Sequence, residues 1–306
     1  MKKIIPTLIL TTIAGVQGNA AVDPNFNYHV DRFADIEVLR YEVPEFDRLI
    51  PAQRIMLYYL SQAAQMGRDI IWDQNGKYNL QIRQLLEKIY TGYTGDRESK
   101  DFKAFETYMK QAWFGNGIHH HYSTDKFTPG FSKDFFLAEV SKISPSELPL
   151  AAGETPEQMT AKLTEVIFNP AVMAKRVNQD GTQDVVATSA GNYYGEGVTQ
   201  AEVEDFYNAM KDPSDATPVS YGLNSKVIKD ADGNLKEEVY SLNGLYGPAI
   251  SQIIYWLDKA KSVAENDAQK AHITALIDYY ITGDLRTFDE YSILWAEDTQ
   301  SDVDFV

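Results

Sequence analysis

The sequence predicts an α+β protein, mostly helical, with a small antiparallel hairpin core. Two observations carry this. Apolar residues recur at helical spacing through both the first and last thirds of the chain. Between them lies a stretch of short apolar runs punctuated by Asp-Gly turns. Helices, then hairpins, then helices is the order of an α+β fold, whereas a doubly wound sheet alternates strand and helix.

The chain starts with Met1-Lys2-Lys3, an apolar run from Ile4 to Val16 and small residues at Gly18-Asn19-Ala20-Ala21. A basic start, a short apolar run and a small-residue exit read as a signal peptide over residues 1–21, and so as a periplasmic or secreted protein. The run is too short for a mature membrane span, and no later segment approaches that length. Residues 28–47 read as extended chain and short turns.

The first clear helix spans 51–72, with Met56, Tyr59, Leu60, Ala63, Ile70 and Ile71 on its apolar positions and Pro51 in its first turn. Asn75-Gly76 ends it. A second helix carries Ile82, Leu85, Leu86 and Ile89, and a third Phe102, Phe105, Met109 and Trp113. A loop with aromatic punctuation covers 115–130. Residues 131–140 form a short helix, and Thr155-Pro156 opens another. Residues 176–187 read as two strands about Asp180-Gly181. Thr199-Gln200-Ala201-Glu202 is a capping box opening a helix. Residues 221–228 and 237–242 form a second hairpin about Asp230 to Asn234. Three helices follow, over 248–263, 267–281 and 285–296.

Composition narrows the function classes. The chain has 306 residues, a net charge of −16, 44% hydrophobic residues and no cysteine. That charge repels nucleic acid and anionic membrane. It serves solubility alone, or it suits a cleft that attracts a cation such as a peptide's free amino terminus. Without cysteine there is no disulfide, thiolate metal site or cysteine nucleophile. Nineteen tyrosines, 14 phenylalanines and 4 tryptophans suit a cleft that stacks on extended peptide or sugar.

Candidate chemistry is sparse. Of five histidines, none forms the one-turn-apart helical pair that zinc hydrolases use, and consecutive His119, His120 and His121 point in different directions in a loop. The Asp230 to Asn234 run starts like a calcium loop, but its glycine comes two places early and no glutamate stands at the twelfth position, so a hairpin turn explains it better. No Gly-x-Ser-x-Gly elbow is present. Glu297-Asp298 and the pair Asp302 and Asp304 are the acidic pairs open to glycoside chemistry.

Five ordered segments together resemble the dipeptidyl peptidase III family. They are Leu60 to Ala64 with Gly67 and Ile70; the loop ending Asp125-Lys126-Phe127-Thr128-Pro129; Asn192-Tyr193-Tyr194-Gly195-Glu196-Gly197-Val198-Thr199; Leu245-Tyr246-Gly247-Pro248-Ala249-Ile250 running to Leu257; and Gly283-Asp284 through Trp295-Ala296-Glu297-Asp298 to Asp304. The resemblance implies a two-lobed zinc peptidase that releases dipeptides from the amino end of oligopeptides. Residues 22–306 would supply its lower, substrate-cleft lobe, built on a small β-barrel with flanking helices. The family's zinc helix, His-Glu-x-x-Gly-His, lies beyond Val306 in the family order. The expectation is therefore a chain truncated before the zinc lobe, binding no zinc and holding no catalytic residue itself. Zn2+ would belong to the full-length enzyme, whose partners are the oligopeptide substrate and the missing C-terminal zinc lobe. The substrate would be held as an added strand, and Asp304 falls where the family has an acid gripping the substrate ammonium. A tyrosine of the family aligns with Val306, a departure at the last position. The alternative is a periplasmic peptide- or sugar-binding protein without catalysis.

Overall fold

The computed structural model describes residues 23–305. The leader read at 1–21 lies outside the described residues. So does Val306.

A hairpin comes first, β1 (His29–Phe33) and β2 (Ile36–Leu39), antiparallel with Phe33 opposite Ile36. It falls in the stretch read as extended chain and short turns. Its turn is Ala34-Asp35, with Ala34 left-handed at φ 48°. That conformation usually selects Gly or Asn, so the turn carried no readable signal.

The helix read over 51–72 is two. α1 (Pro51–Met66) and α2 (Arg68–Asn75) meet at Gly67. Pro51 occupies the first turn of α1, where its missing N–H costs nothing, and the Gln53 side chain reaches back to the Ile50 N–H at 3.0 Å. α3 (Asn79–Gly92), α4 (Lys100–Gly115), α5 (Lys133–Val140) and α6 (Pro156–Phe168) follow, close to the expected bounds. Three of the four carry side-chain caps: Ser99, Ser132 and Thr155 each accept from an N–H in the first turn.

Helices α2 to α6 enclose the first core. Trp72, Leu85, Leu86, Phe102, Phe105, Phe136 and Met159 are buried within it. Tyr93 stacks on Phe102 with ring centroids 4.3 Å apart, and Phe131 meets Phe105 edge-on at 5.4 Å. Each such ring contributes about 1.5–3 kcal/mol by leaving water.

The predicted strands about Asp180-Gly181 do not form; residues 176–187 are turns. Local side chains capture the backbone there. Asp180 accepts from the Thr182 N–H and hydroxyl, and Asp184 accepts from the N–H groups of Val186, Ala187 and Gln200. Short acidic side chains that satisfy nearby N–H groups compete with a strand ladder.

α7 (Gln200–Met210) opens on the Thr199–Glu202 capping box as read. β3 (Ser225–Lys229) and β4 (Leu235–Val239) form the second hairpin, with Ser225 opposite Val239 and Lys229 opposite Leu235. Among the described residues the strands make two separate antiparallel hairpins, not the closed barrel of the expectation. The missing strands at 176–187 leave too few to close one. β1–β2 instead lies against α4, where Lys110 pairs with Asp31 at 2.8 Å. The α+β class itself holds.

α8 (Gly247–Lys261), α9 (Asp267–Thr282) and α10 (Leu285–Glu297) complete the chain. α8 and α9 pack with α1 around the second core: Met56, Ala63, Ile253, Leu257, Ala260, Ile273, Leu276, Ile277 and, from the last segment, Val303. Gly67 is thus the joint between two cores. No helix among the described residues is long and apolar enough to cross a membrane.

Candidate substrate-cleft surface

Asp304 stands on the segment that follows α10, and that segment is tied down residue by residue. Asp298 caps the turn, accepting from the N–H groups of Gln300 and Ser301 and from the Ser301 hydroxyl at 2.6 Å. Its carboxylate lies 3.4 Å from the His272 Nε2, with both side chains almost fully buried. Burial holds the imidazole below its ordinary pKa against the pull of that carboxylate. Burial pushes the Asp298 carboxyl up, but the Ser301 and Gln300 hydrogen bonds outweigh it and hold the carboxyl low.

Glu265 accepts from the Val303 N–H at 2.8 Å, and the Gln269 amide donates to the Val303 carbonyl at 2.8 Å. The Gln53 amide on α1 bridges Glu265 at 2.8 Å and Asp302 at 3.1 Å. Val303 therefore points inward, while Asp302 and Asp304 on either side are exposed. Asp304 Oδ1 accepts from the Trp295 indole N–H at 2.8 Å and from the Phe305 N–H at 2.7 Å. Among the described residues its Oδ2 makes no hydrogen bond.

The acidic pairs do not assemble as hydrolytic pairs. Asp298 is locked by His272 and Ser301, Asp302 is bound to α1, and Asp304 is bound to α10.

Sequence reading missed a second polar cluster. Asp73, at the end of α2, accepts from the Tyr246 hydroxyl at 2.6 Å and from the Asn192 amide at 3.0 Å. Lys226 on β3 donates to the Asn192 side-chain Oδ1 at 2.7 Å. Burial and the Asp73 carboxylate raise the Tyr246 phenol well above its ordinary pKa, so it remains a hydrogen-bond donor. One carboxylate thus joins α2, the aromatic turn, β3 and the start of α8. The aromatic turn also adds a short rung to β3: Val227 N–H donates to the Tyr193 carbonyl at 3.0 Å and Gly195 N–H to the Val227 carbonyl at 2.7 Å. A Cβ on Gly195 would lie 3.1–3.2 Å from Ile228, which is why glycine stands there. The only sequence signal for the cluster was the paired polar-aromatic motifs around Asn192 and Tyr246, which name no partner.

The three loop histidines do not all point apart as expected: the rings of His120 and His121 lie side by side, with centroids 4.4 Å apart and planes 30° apart. The His119 Nε2 meets the Met173 carbonyl at 2.7 Å, the His120 Nδ1 accepts from the N–H groups of Tyr122 and Ser123, and His121 packs edge-on against Phe114. Lys126, of the Lys-Phe-x-Pro motif, proves structural. Its ammonium donates to the carbonyls of Val166 at 2.9 Å, Val172 at 2.6 Å and Asn169, closing the C-terminal end of α6. Asp230 accepts from the N–H groups of Asp232 and Asn234 and donates its own N–H to the Asn234 carbonyl, which makes it a hairpin turn.

Among the described residues no three His, Asp or Glu side chains are grouped to hold a metal ion. Zinc therefore does not fit the residues present.

Comparison with a family model bears on the C-terminal part of the molecule, carrying β3, β4 and α8 to α10. Residues 219–306 match the model of peptidase family M49. The match covers under a third of the chain. The M49 segment holds Asp304, Trp295, Tyr246 and the His272–Asp298 pair. The fold as a whole is similar to that of DPP III from Caldithrix abyssi, with a TM-score of 0.50 and 15% identity, covering 84% of this chain and 35% of that one. Dipeptidyl-peptidase III from Corallococcus sp. strain EGB also aligns, at a TM-score of 0.49 and 16% identity over 82% of this chain and 34% of that one. The chain spans about a third of the length of these structures. A search of curated proteins found no match.

Proposed function

We propose that this chain forms substrate-holding surface of a zinc dipeptidyl peptidase that releases dipeptides from the amino end of oligopeptides. The observation that carries the reading is the M49 match over 219–306, which ends on the segment bearing Asp304. The likeness of fold to the Caldithrix abyssi structure agrees with it. In this reading the zinc and its activated water belong to a polypeptide carrying the His-Glu-x-x-Gly-His helix, and residues 22–306 contribute the lower lobe. Export from the cytoplasm belongs to the same proposal and rests on the leader.

Asp304 has the chemistry of an ammonium acceptor. Trp295 and the Phe305 N–H hold one oxygen, which fixes the carboxylate and leaves Oδ2 free for a cation. Peptide binding to the 306-residue chain, followed by calorimetry, tests this. A tetrapeptide with a free amino terminus binds, its N-acetylated form binds less tightly, and Asp304→Asn weakens the free peptide by roughly tenfold, about 1.4 kcal/mol. Equal binding of both peptides would overturn the role of Asp304. The 306-residue chain takes up no stoichiometric zinc and leaves dipeptidyl arylamides intact, whereas the natural enzyme cleaves them in a chelator-sensitive way. Stoichiometric zinc on the purified chain would sink the division of labour. Chelator-insensitive peptide capture without cleavage by the natural protein would favour a binding protein.

A further inference from the structure

Away from the M49 segment, a cavity of about 330 Å³ opens between α2, α3 and α4. It is lined by Arg68, Trp72, Arg83, Glu87, Trp113 and Asn116. The volume is at the lower end of small-ligand sites. Trp72 is buried in the first core, and the Arg83 guanidinium lies against it, 5.5 Å from its ring centroid. Arg83 is itself 9% exposed. Asp69 meets its Nη1 at 2.7 Å and Glu87 lies 3.6 Å from its Nε. The Trp113 indole N–H donates to the same Glu87 oxygen at 3.2 Å.

Two guanidiniums, Arg68 and Arg83, face two carboxylates, Asp69 and Glu87, so the cavity is balanced in charge, but both carboxylates sit on Arg83. Arg68 is exposed and, among the described residues, makes no hydrogen bond or ion pair. The side-chain amide of Asn116, held on a left-handed residue at φ 49°, is unpaired too. Trp113 is 39% exposed, with Tyr90 edge-on to it at 6.3 Å. In a chain of net charge −16, an anion is not drawn in by the global field. A ligand must therefore gain from apolar contact as well as from hydrogen bonds to the unpartnered guanidinium of Arg68. A planar carboxylate does both: its oxygens match the guanidinium fork and its flat body lies on the indole.

We propose that this cavity binds a small planar carboxylate, with Arg68 and Asn116 taking the carboxylate and Trp113 the ring. The inference is independent of the peptidase reading. The carboxylate can come from a free aromatic acid or from the C-terminus of a peptide ending in an aromatic residue.

Calorimetry on the 306-residue chain tests it with phenylacetate, N-acetyl-alanyl-phenylalanine, the amide of that peptide, and inorganic phosphate. One or both carboxylates bind saturably, and which of them binds more tightly names the source. Arg68→Ala weakens binding at least about tenfold, and Arg68→Lys, which keeps the charge but loses the fork, weakens it by roughly threefold. Because Arg68 is exposed and unbonded, the circular-dichroism melt of Arg68→Ala matches that of the parent. Failure of both carboxylates to bind overturns the proposal, as does unchanged affinity in Arg68→Ala. So does an amide that binds as tightly as the acid, or phosphate that binds as tightly as either.

Discussion

His119 and His272 are buried side chains that titrate against burial. For His119 the loss of water is the largest effect, partly opposed by the Met173 carbonyl, and the ring is held down to about 4. An unfolded histidine titrates near 6.5. Between those values the unfolded chain binds the extra proton, so the contribution to stability is full above pH 6.5 and is lost as pH falls toward 4. The span corresponds to roughly 3 kcal/mol. A series of thermal melts from pH 7 to 4 is expected to show a fall that is shallower in His119→Gln. Glu202 works on a lower window. Its hydrogen bond to Lys229, then those to Thr199, depress the carboxyl to about 2. That contribution is present above about pH 4.3 and fades as the medium is acidified toward 2. Glu202→Gln flattens the melt profile in that range and leaves the neutral-pH slope unchanged.

At the scale of elements, caps and turns decide which readings hold. Thr155 and Thr199 marked helix starts because a hydroxyl next to an apolar-periodic run has one favoured use, and the structure adds Ser99 and Ser132 as caps that were not read. The break at Gly67 was not legible, since apolar spacing continues through it. Nor was the β1–β2 turn, where alanine takes a glycine's conformation. Residues 176–187 misled because an Asp-Gly turn signal looks the same whether the flanking chain forms a ladder or folds onto its own acidic side chains. For the site, Asp304 was placed by resemblance. The Asp73–Asn192–Tyr246 cluster escaped because its members lie 119 and 173 residues apart, a separation that no local pattern reports. One joint between elements gives a sharp test. Gly283 ends α9 at φ 72°, and a Cβ there would lie 2.3 Å from the Val239 side chain of β4. Gly283→Ala is expected to cost on the order of 2 kcal/mol or more, read as a lower midpoint in urea.

For the whole molecule the dominant long-range quantity is the charge. With 44 acidic and 28 basic side chains, self-repulsion opposes the compact state. Salt screens it within about 8 Å at physiological strength. The melting temperature is therefore expected to rise between low salt and 0.3 M sodium chloride, roughly the range over which screening sets in; a fall would mean that the surface ion pairs outweigh the repulsion. The same field favours ligands with a free ammonium over anionic ones at the M49 surface. The planar carboxylate proposed for the α2–α4 cavity has to work against it.

The ammonium of Lys126 is held by three carbonyls at the end of α6, half-buried and turned from solvent. An amine-reactive reagent meets most lysines of this chain at the surface, but reaches Lys126 only when the turn at 166–172 lets go. Acylation of that one nitrogen, followed by mass spectrometry against the remaining amines, is then a clock for opening of the first core, and its rate follows local unfolding where the others follow simple collision.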